Sequence, residues 1–346
     1  MTELPALDDL LACPEDGTPL RRDGTSWVST AGRRYPTIQG IPVLFRADTS
    51  DTMSPMTRSR EVAAQAVAAA DDPFCVDTLG IVDDQKKLVL AAIARGDNAV
   101  DPVVAQIIAA TCGNLYLGLV GNLPRYPIPN FRLKNGAGRL LVDLGCNWGR
   151  WCVAAAREGF VPVGIDPQIG AVLAARRVAE QLGVKAHFIC ADARNLPLRE
   201  GVADVVFSYS VIQHLSRGDA GQVIASSSRV MKPGGEMFVQ MPNVMGMRCF
   251  YQWVRRGFGD GSGFNVRYWT LSQLRGVFSK IGDVDFDIDC FFGIGLQPSD
   301  ADLMPLKWRA LLKMSEFLRS LEGIIPGLAW VADSVYVRAR KELRVV

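Results

Sequence analysis

Apolar and polar positions alternate in blocks through the second half of this chain. Short apolar runs recur at 140–142, 161–165, 186–190, 204–209 and 236–240, and segments with helical spacing separate several of them. Near-continuous apolar runs of this length predict buried strands of a parallel sheet. The stretch Met231-Lys232-Pro233-Gly234-Gly235 ends a helix before the fifth run. Thr270 reads as the N-cap of a helix over 271–280, residues 283–289 alternate apolar and acidic as a strand, and 333–338 makes the last one. Strands alternating with helices predict a doubly wound α/β fold whose site lies at the strands' C-terminal ends.

The first half is less regular. Residues 61–70 and 85–95 have helical spacing, with a break at Asp71-Asp72-Pro73. Residues 103–124 carry no charge, yet Gln106, Thr111, Asn114, Asn122 and three glycines interrupt them. A buried helix with a following loop is expected there in place of a membrane span; contact with a membrane surface stays open. Pro124, Pro127 and Pro129 predict an extended lead into the first core strand, and the apolar insert 291–330 predicts a helical lid.

Candidate chemistry begins where the first run ends. Asp143 precedes a turn built on Gly145, Asn147 and Gly149, which opens a helix. Such a turn sets bare backbone N–H groups beside a ligand-sized space. A dinucleotide site would want G-x-G-x-x-G, whereas this chain has G-x-N-x-G with a carboxylate beside it, which suits a cationic ligand. Asn tolerates left-handed backbone angles, so the turn survives the missing glycine. The second run ends in Asp166, placed to accept hydrogen bonds from ribose hydroxyls. The third runs into Asp192 and Ala193.

The segments VDLGCNWG, VGIDP, ADARNLPL, DVVFSYSVIQHL and MKPGG together resemble the ordered motifs of class I S-adenosylmethionine-dependent methyltransferases, over about residues 140–241. The resemblance implies a Rossmann-like methyltransferase fold: a seven-stranded, mostly parallel sheet with helical cap insertions. It implies S-adenosylmethionine as cofactor, with Gly145 and Gly149 letting the loop approach its methionine part and Asp143 near its amino group. Asp166 would bind the ribose hydroxyls, Asp192 would accept from the adenine amino group, and Ala193 would flank the ring. Asn147 departs from the usual glycine; its side chain either reaches the cofactor or satisfies the turn.

A hydroxyl acceptor needs a proton acceptor, and the chain has two histidines. His187 lies within a strand and reads as structural. His214 follows the fourth strand, where an imidazole can act as general base or can pack against the next helix. Tyr209, Ser210 and Gln213 are candidates for the acceptor pocket. Trp148 and Trp151 read as core or cofactor wall, and Cys146 has no base near it in sequence.

Residues 1–47 resemble the small zinc-ribbon-like module that activates certain tRNA and translation-factor methyltransferases. Where metal-binding versions carry two cysteine pairs, this chain keeps Cys13, has Asp16 at the partner position and no thiol around 29–32. No metal site is therefore expected. The division expected is this module, a helical cap and linker over 48–138, and a methyltransferase core over 139–346.

Length and charge narrow the function. The 346 residues carry 38 Lys and Arg against 36 Asp and Glu, a net charge of +2, so nucleic acid is not an expected partner. Glu3, Asp8 and Asp9 without a neighbouring base do not make an export leader, and eight cysteines without paired spacing fit a reducing compartment, so a cytoplasmic location is expected. The sequence favours methylation, at oxygen, of a small-molecule, lipid-linked or glycan-linked acceptor. The alternative is an RNA or translation-protein methyltransferase. Against it, SYSV after the fourth strand replaces the Asn/Asp-Pro-Pro-aromatic loop usual for nitrogen acceptors. Oligomeric state is not legible.

Overall fold

The structure, a computed structural model of the chain, describes residues 4–48, 50–65, 72–96 and 99–343. The N-terminal part contributes α1 (Leu7–Leu10), β1 (Leu20–Asp23), β2 (Ser26–Ser29), β3 (Arg34–Ile38) and β4 (Ile41–Leu44), then α2 (Ser54–Ala64), α3 (Asp83–Arg95) and α4 (Pro102–Cys112). An alternating region follows: β5 (Leu140–Leu144), α5 (Arg150–Arg157), β6 (Val161–Asp166), α6 (Ile169–Gln181), β7 (His187–Ala191), β8 (Ala203–Ser208), α7 (Arg217–Val230) and β9 (Met231–Pro242). The chain continues through α8 (Met247–Arg255), α9 (Leu271–Phe278), β10 (Gly282–Cys290), α10 (Leu306–Ser320) and β11 (Ser334–Lys341). The helix expected over 61–70 corresponds to the end of α2; residues 66–71 lie outside the described residues.

One sheet runs β1-β2-β3-β4-β7-β6-β5-β8-β9-β11-β10. It corrects the expectation of seven mostly parallel strands: among the described residues the sheet has eleven and is mixed. Two causes act. β4 pairs parallel with β7, matching Val43 to Cys190, so the N-terminal strands extend the core sheet. At the other edge β11 runs antiparallel to both β9 and β10. The central strands β5 and β6 are buried at every position, because helices cover both faces.

On one face Trp151, Val153 and Ala155 of α5 pack with Val104 and Ile108 of α4 and Leu312 of α10; on the other, Val223 and Ile224 of α7 pack with Leu271 and Leu274 of α9. Asp101 caps α4 by accepting from the Val103 N–H at 2.9 Å, and it pairs with Arg177 of α6 at 2.6 Å. Helix α6 has no cap of its own; the hydroxyls of Ser59 and Thr78 accept from Ile169 and Gly170. Residues ahead of the core strands thus hold the crossover that follows β6. Thr270 and Gln273 form the reciprocal capping box that starts α9. The charge-free stretch forms α4 and a following 3-10 turn, and no helix among the described residues is long and apolar enough to cross a membrane.

Candidate active site

The carboxyl ends of β5, β6 and β7 converge on the turn after β5. Gly145, Asn147 and Gly149 all take positive φ, +70°, +46° and +79°. The Gly145 N–H donates to Ile165 O of β6 at 2.8 Å, tying the turn to the next strand, and the Gly149 N–H donates to Cys146 O at 2.8 Å, closing it. Asn147 Oδ1 accepts from the Trp148 N–H at 2.8 Å, so this side chain serves the turn. A Cβ on Gly145 would sit 2.4 Å from Val211 Cγ2, and one on Gly149 would sit 3.0 Å from Ala175 Cβ. At Gly145 the backbone approaches its neighbour more closely than a side chain permits, and at Gly149 the fit is tight.

Three acids stand at the three tips, each in a different setting. Asp143 is buried and accepts from the Cys152 thiol at 3.3 Å; burial pushes its carboxyl up to about 7, with the Asp166 charge adding to the rise. Asp166 accepts from the Asn147 N–H at 3.0 Å and the Gln168 N–H at 2.9 Å, yet burial still pushes it up to about 6. Asp192 accepts from the Arg194 N–H at 2.9 Å and pairs with the Arg194 guanidinium at 2.7 Å. Arg194 also reaches Asp219 at 2.8 Å, so Asp192 belongs to a buried ion network that its sequence position does not disclose. Ala193 opens the 3-10 turn that Asp192 caps.

The acceptor-side candidates follow β8. Tyr209 lies tilted against Trp151 with ring centroids 4.6 Å apart, donates to Asp289 at 3.3 Å and accepts from Gln297 at 2.8 Å. Ser210 takes φ +58°, and its N–H and hydroxyl both donate to Gln240 Oε1 at 2.9 Å. His214 lies flat on Phe264, centroids 4.2 Å apart, with Nδ1 at 2.7 Å from the Phe264 carbonyl. A carbonyl only accepts, so Nδ1 carries the proton and Nε2 keeps its lone pair, which faces the Gln213 amide nitrogen at 3.3 Å. Burial lowers the imidazole's proton affinity, opposed by the Phe264 carbonyl and assisted by Arg267, so His214 is neutral at neutral pH. His187 contacts Pro5 O at 2.7 Å through Nε2, as a structural histidine would.

Several polar groups were not legible in the sequence. Arg150, at the start of α5, pairs with Asp300 at 3.0 Å, and Asp300 also accepts from the Tyr116 hydroxyl. A cation at a helix N-terminus opposes the helix dipole, and that misfit was the one signal available. Gln240, which holds Ser210, sits inside a strand and carries no signal. In the turn ahead of β1 the Cys13 thiol lies 3.2 Å from the Tyr35 hydroxyl of β3, while Asp16 holds Thr18 and Arg33.

Residues 141–235 match the model of a family described as a methyltransferase domain. The match contains β5 through the start of β9, including all three acidic tips and His214. The chain is also similar to proteins named ubiquinone biosynthesis O-methyltransferase. The one from Bradyrhizobium sp. (strain ORS 278) is 28% identical over 137 residues, 37% of this chain and 53% of the relative. The one from Rhodopseudomonas palustris (strain BisB18) is 28% identical over 130 residues, 35% of this chain and 50% of the relative. The chain therefore spans about half the length of the curated relatives it matches. A solved S-adenosylmethionine-dependent methyltransferase from Methanosarcina mazei overlays 61% of this chain and 95% of its own, at 15% identity and TM-score 0.43. Phosphoethanolamine N-methyltransferase 2 of Haemonchus contortus, solved with S-adenosyl-L-methionine, overlays 62% of this chain and 50% of its own, at 18% identity and TM-score 0.40.

Proposed function

We propose that the whole protein is an S-adenosylmethionine-dependent methyltransferase acting at an oxygen of a small-molecule, lipid-linked or glycan-linked acceptor. One observation carries the reading: carboxylates stand at three consecutive strand tips, and one of them, Asp166, holds a glycine turn in which a Cβ on Gly145 would meet Val211 at 2.4 Å. Asp143 would face the cofactor's amino group, and Gly145 and Gly149 its methionine chain. Asp166 already spends one lone pair of each oxygen on an amide, which leaves one on each for a ribose hydroxyl. Ala193 would flank the adenine, and Asp192, pinned by Arg194, would accept from its amino group.

When bound, S-adenosylmethionine supplies a sulfonium methyl carbon that an acceptor oxygen takes by in-line displacement. The chain's part is to align the acceptor and keep out water, and alignment of this kind contributes about 7–11 kcal/mol in favourable cases. Tyr209, Ser210 and Gln213 would shape the acceptor pocket. The Nε2 lone pair of His214 would take the hydroxyl proton once the Gln213 amide turns from it. Oxygen is favoured because the relatives that share this segment are named for O-methylation, and because the loop after β8 lacks the Pro-Pro-aromatic pattern.

The competing reading, methylation of RNA or of a translation protein, draws on the N-terminal strands. The near-neutral charge of +2 weighs against RNA. Incubation of the full chain with labelled methyl donor, separately with lipid extract, small-metabolite extract, total RNA and a ribosome and translation-factor fraction, tests the choice. Label in the lipid or metabolite fraction supports the proposal. Label confined to RNA, or to ribosomal and translation-factor protein, reverses it.

A further inference from the structure

Helix α8 presents an apolar face to water. Met247, Phe250, Tyr251 and Val254, spaced i, i+3, i+4 and i+7, are 67%, 44%, 57% and 41% exposed, while Cys249 on the opposite side is buried. Exposed apolar residues scattered singly are ordinary; four along one stripe of one helix are not. The patch continues past the helix. Asn243 donates to Trp330 O at 2.8 Å, and Gly246 packs directly against Asp333, so the end of the 291–330 insert lies alongside the start of α8. There Trp330 and Val331 are 52% and 55% exposed.

Charge identifies the occupant. Residues 243–259 hold three arginines, Arg248, Arg255 and Arg256, and no acid, in a chain whose net charge is +2. Among the described residues none of the three pairs with a carboxylate: Arg248 donates to Gly293 O, Arg256 to Val266 O, and Arg255 lies over the Tyr251 ring. An apolar stripe carrying Trp and Tyr and flanked by uncompensated arginines matches the boundary between lipid headgroups and acyl chains. The stripe is also held in place. Asp333 accepts from the Arg248 and Cys249 N–H groups at 2.7 and 3.0 Å, capping α8 from a residue next to β11.

We propose that α8 and the adjoining Trp330 segment form a docking surface for a bilayer containing anionic phospholipid. The surface adjoins the candidate acceptor side, because Phe264 and Arg267 of the same 243–270 segment contact His214 and Gln213. The inference rests on the surface alone and does not require the proposed methyl transfer.

Flotation of the full chain with phosphatidylcholine vesicles, with and without phosphatidylglycerol, tests it. Binding is expected only with phosphatidylglycerol present and is expected to weaken as salt rises. A basic residue near such a surface contributes about fivefold, so the Arg255→Glu/Arg256→Glu variant is expected to lose about tenfold or more. Phe250→Asp is expected to abolish binding. All these positions are exposed, and an unchanged melting temperature shows that each variant is folded. No flotation with either vesicle overturns the proposal, as does equal, salt-insensitive flotation with both. A wild-type dimer in sedimentation velocity that Phe250→Asp converts to monomer also overturns it, assigning the patch to a second copy of the chain.

Discussion

Asp166 at the tip of β6 accepts the backbone N–H of Asn147 at 3.0 Å, so the second core strand holds the turn that follows the first. The same carboxylate is the group proposed to take the ribose hydroxyls, which couples the shape of the turn to cofactor affinity. Asp166→Ala removes both roles. It is expected to weaken S-adenosylmethionine binding by about tenfold to a hundredfold, the worth of a charge-assisted hydrogen bond or more. Asp166→Asn keeps one accepting oxygen and is expected to lose less. Titration calorimetry of both variants checks the order.

Gly145→Ala tests the close approach. The new Cβ would meet Val211 Cγ2 at 2.4 Å at a backbone φ of +70°. Overpacking costs about 1–3 kcal/mol and the left-handed conformation roughly 1–2 more. Melting temperature and cofactor affinity are expected to fall together. Adding Val211→Ala is expected to recover only the packing part, since the backbone strain stays.

Much of this site was legible in the sequence because its strands are apolar runs that end in acids. The turns at 145–149 and the cap at Thr270 also declare themselves in local residue chemistry. What stayed hidden depends on distant pairing. Val43 beside Cys190, Arg150 beside Asp300 and Asp333 capping α8 each join segments more than eighty residues apart, and no local pattern encodes them. Asp192 shows the opposite case. Its partner Arg194 is two residues away, yet a carboxylate at a strand tip reads the same whether it awaits a ligand or already holds a guanidinium.

The two raised carboxyls give a pH signature. Asp143 and Asp166 titrate at about 7 and about 6 in the fold, against an ordinary 3.8. Between those values the folded chain binds more protons than the unfolded one, so their contribution to stability is full below the ordinary value and is lost as pH rises through the folded values. The ligand-free protein is therefore expected to lose stability across that window, and Asp143→Asn is expected to flatten the profile. Binding of the cationic cofactor should run the other way, tightening as the carboxylates ionise. Thermal unfolding and calorimetry over the same pH series check the opposed slopes.

The buried pair Arg150–Asp300 has side chains only 8% and 0% exposed. Removing one partner strands the other, so Asp300→Ala is expected to cost roughly 3–5 kcal/mol by chemical denaturation. Replacing both, as Arg150→Met/Asp300→Leu, is expected to recover most of that loss. A negligible cost for the single variant would show that the pair does not hold the insert to α5.

The cradle at the three strand tips is tested most directly by calorimetric titration of the folded chain with S-adenosylmethionine and with its demethylated product. One site per chain is expected for each, weakened by Asp166→Ala. Absence of binding by either compound to folded protein would contradict the account.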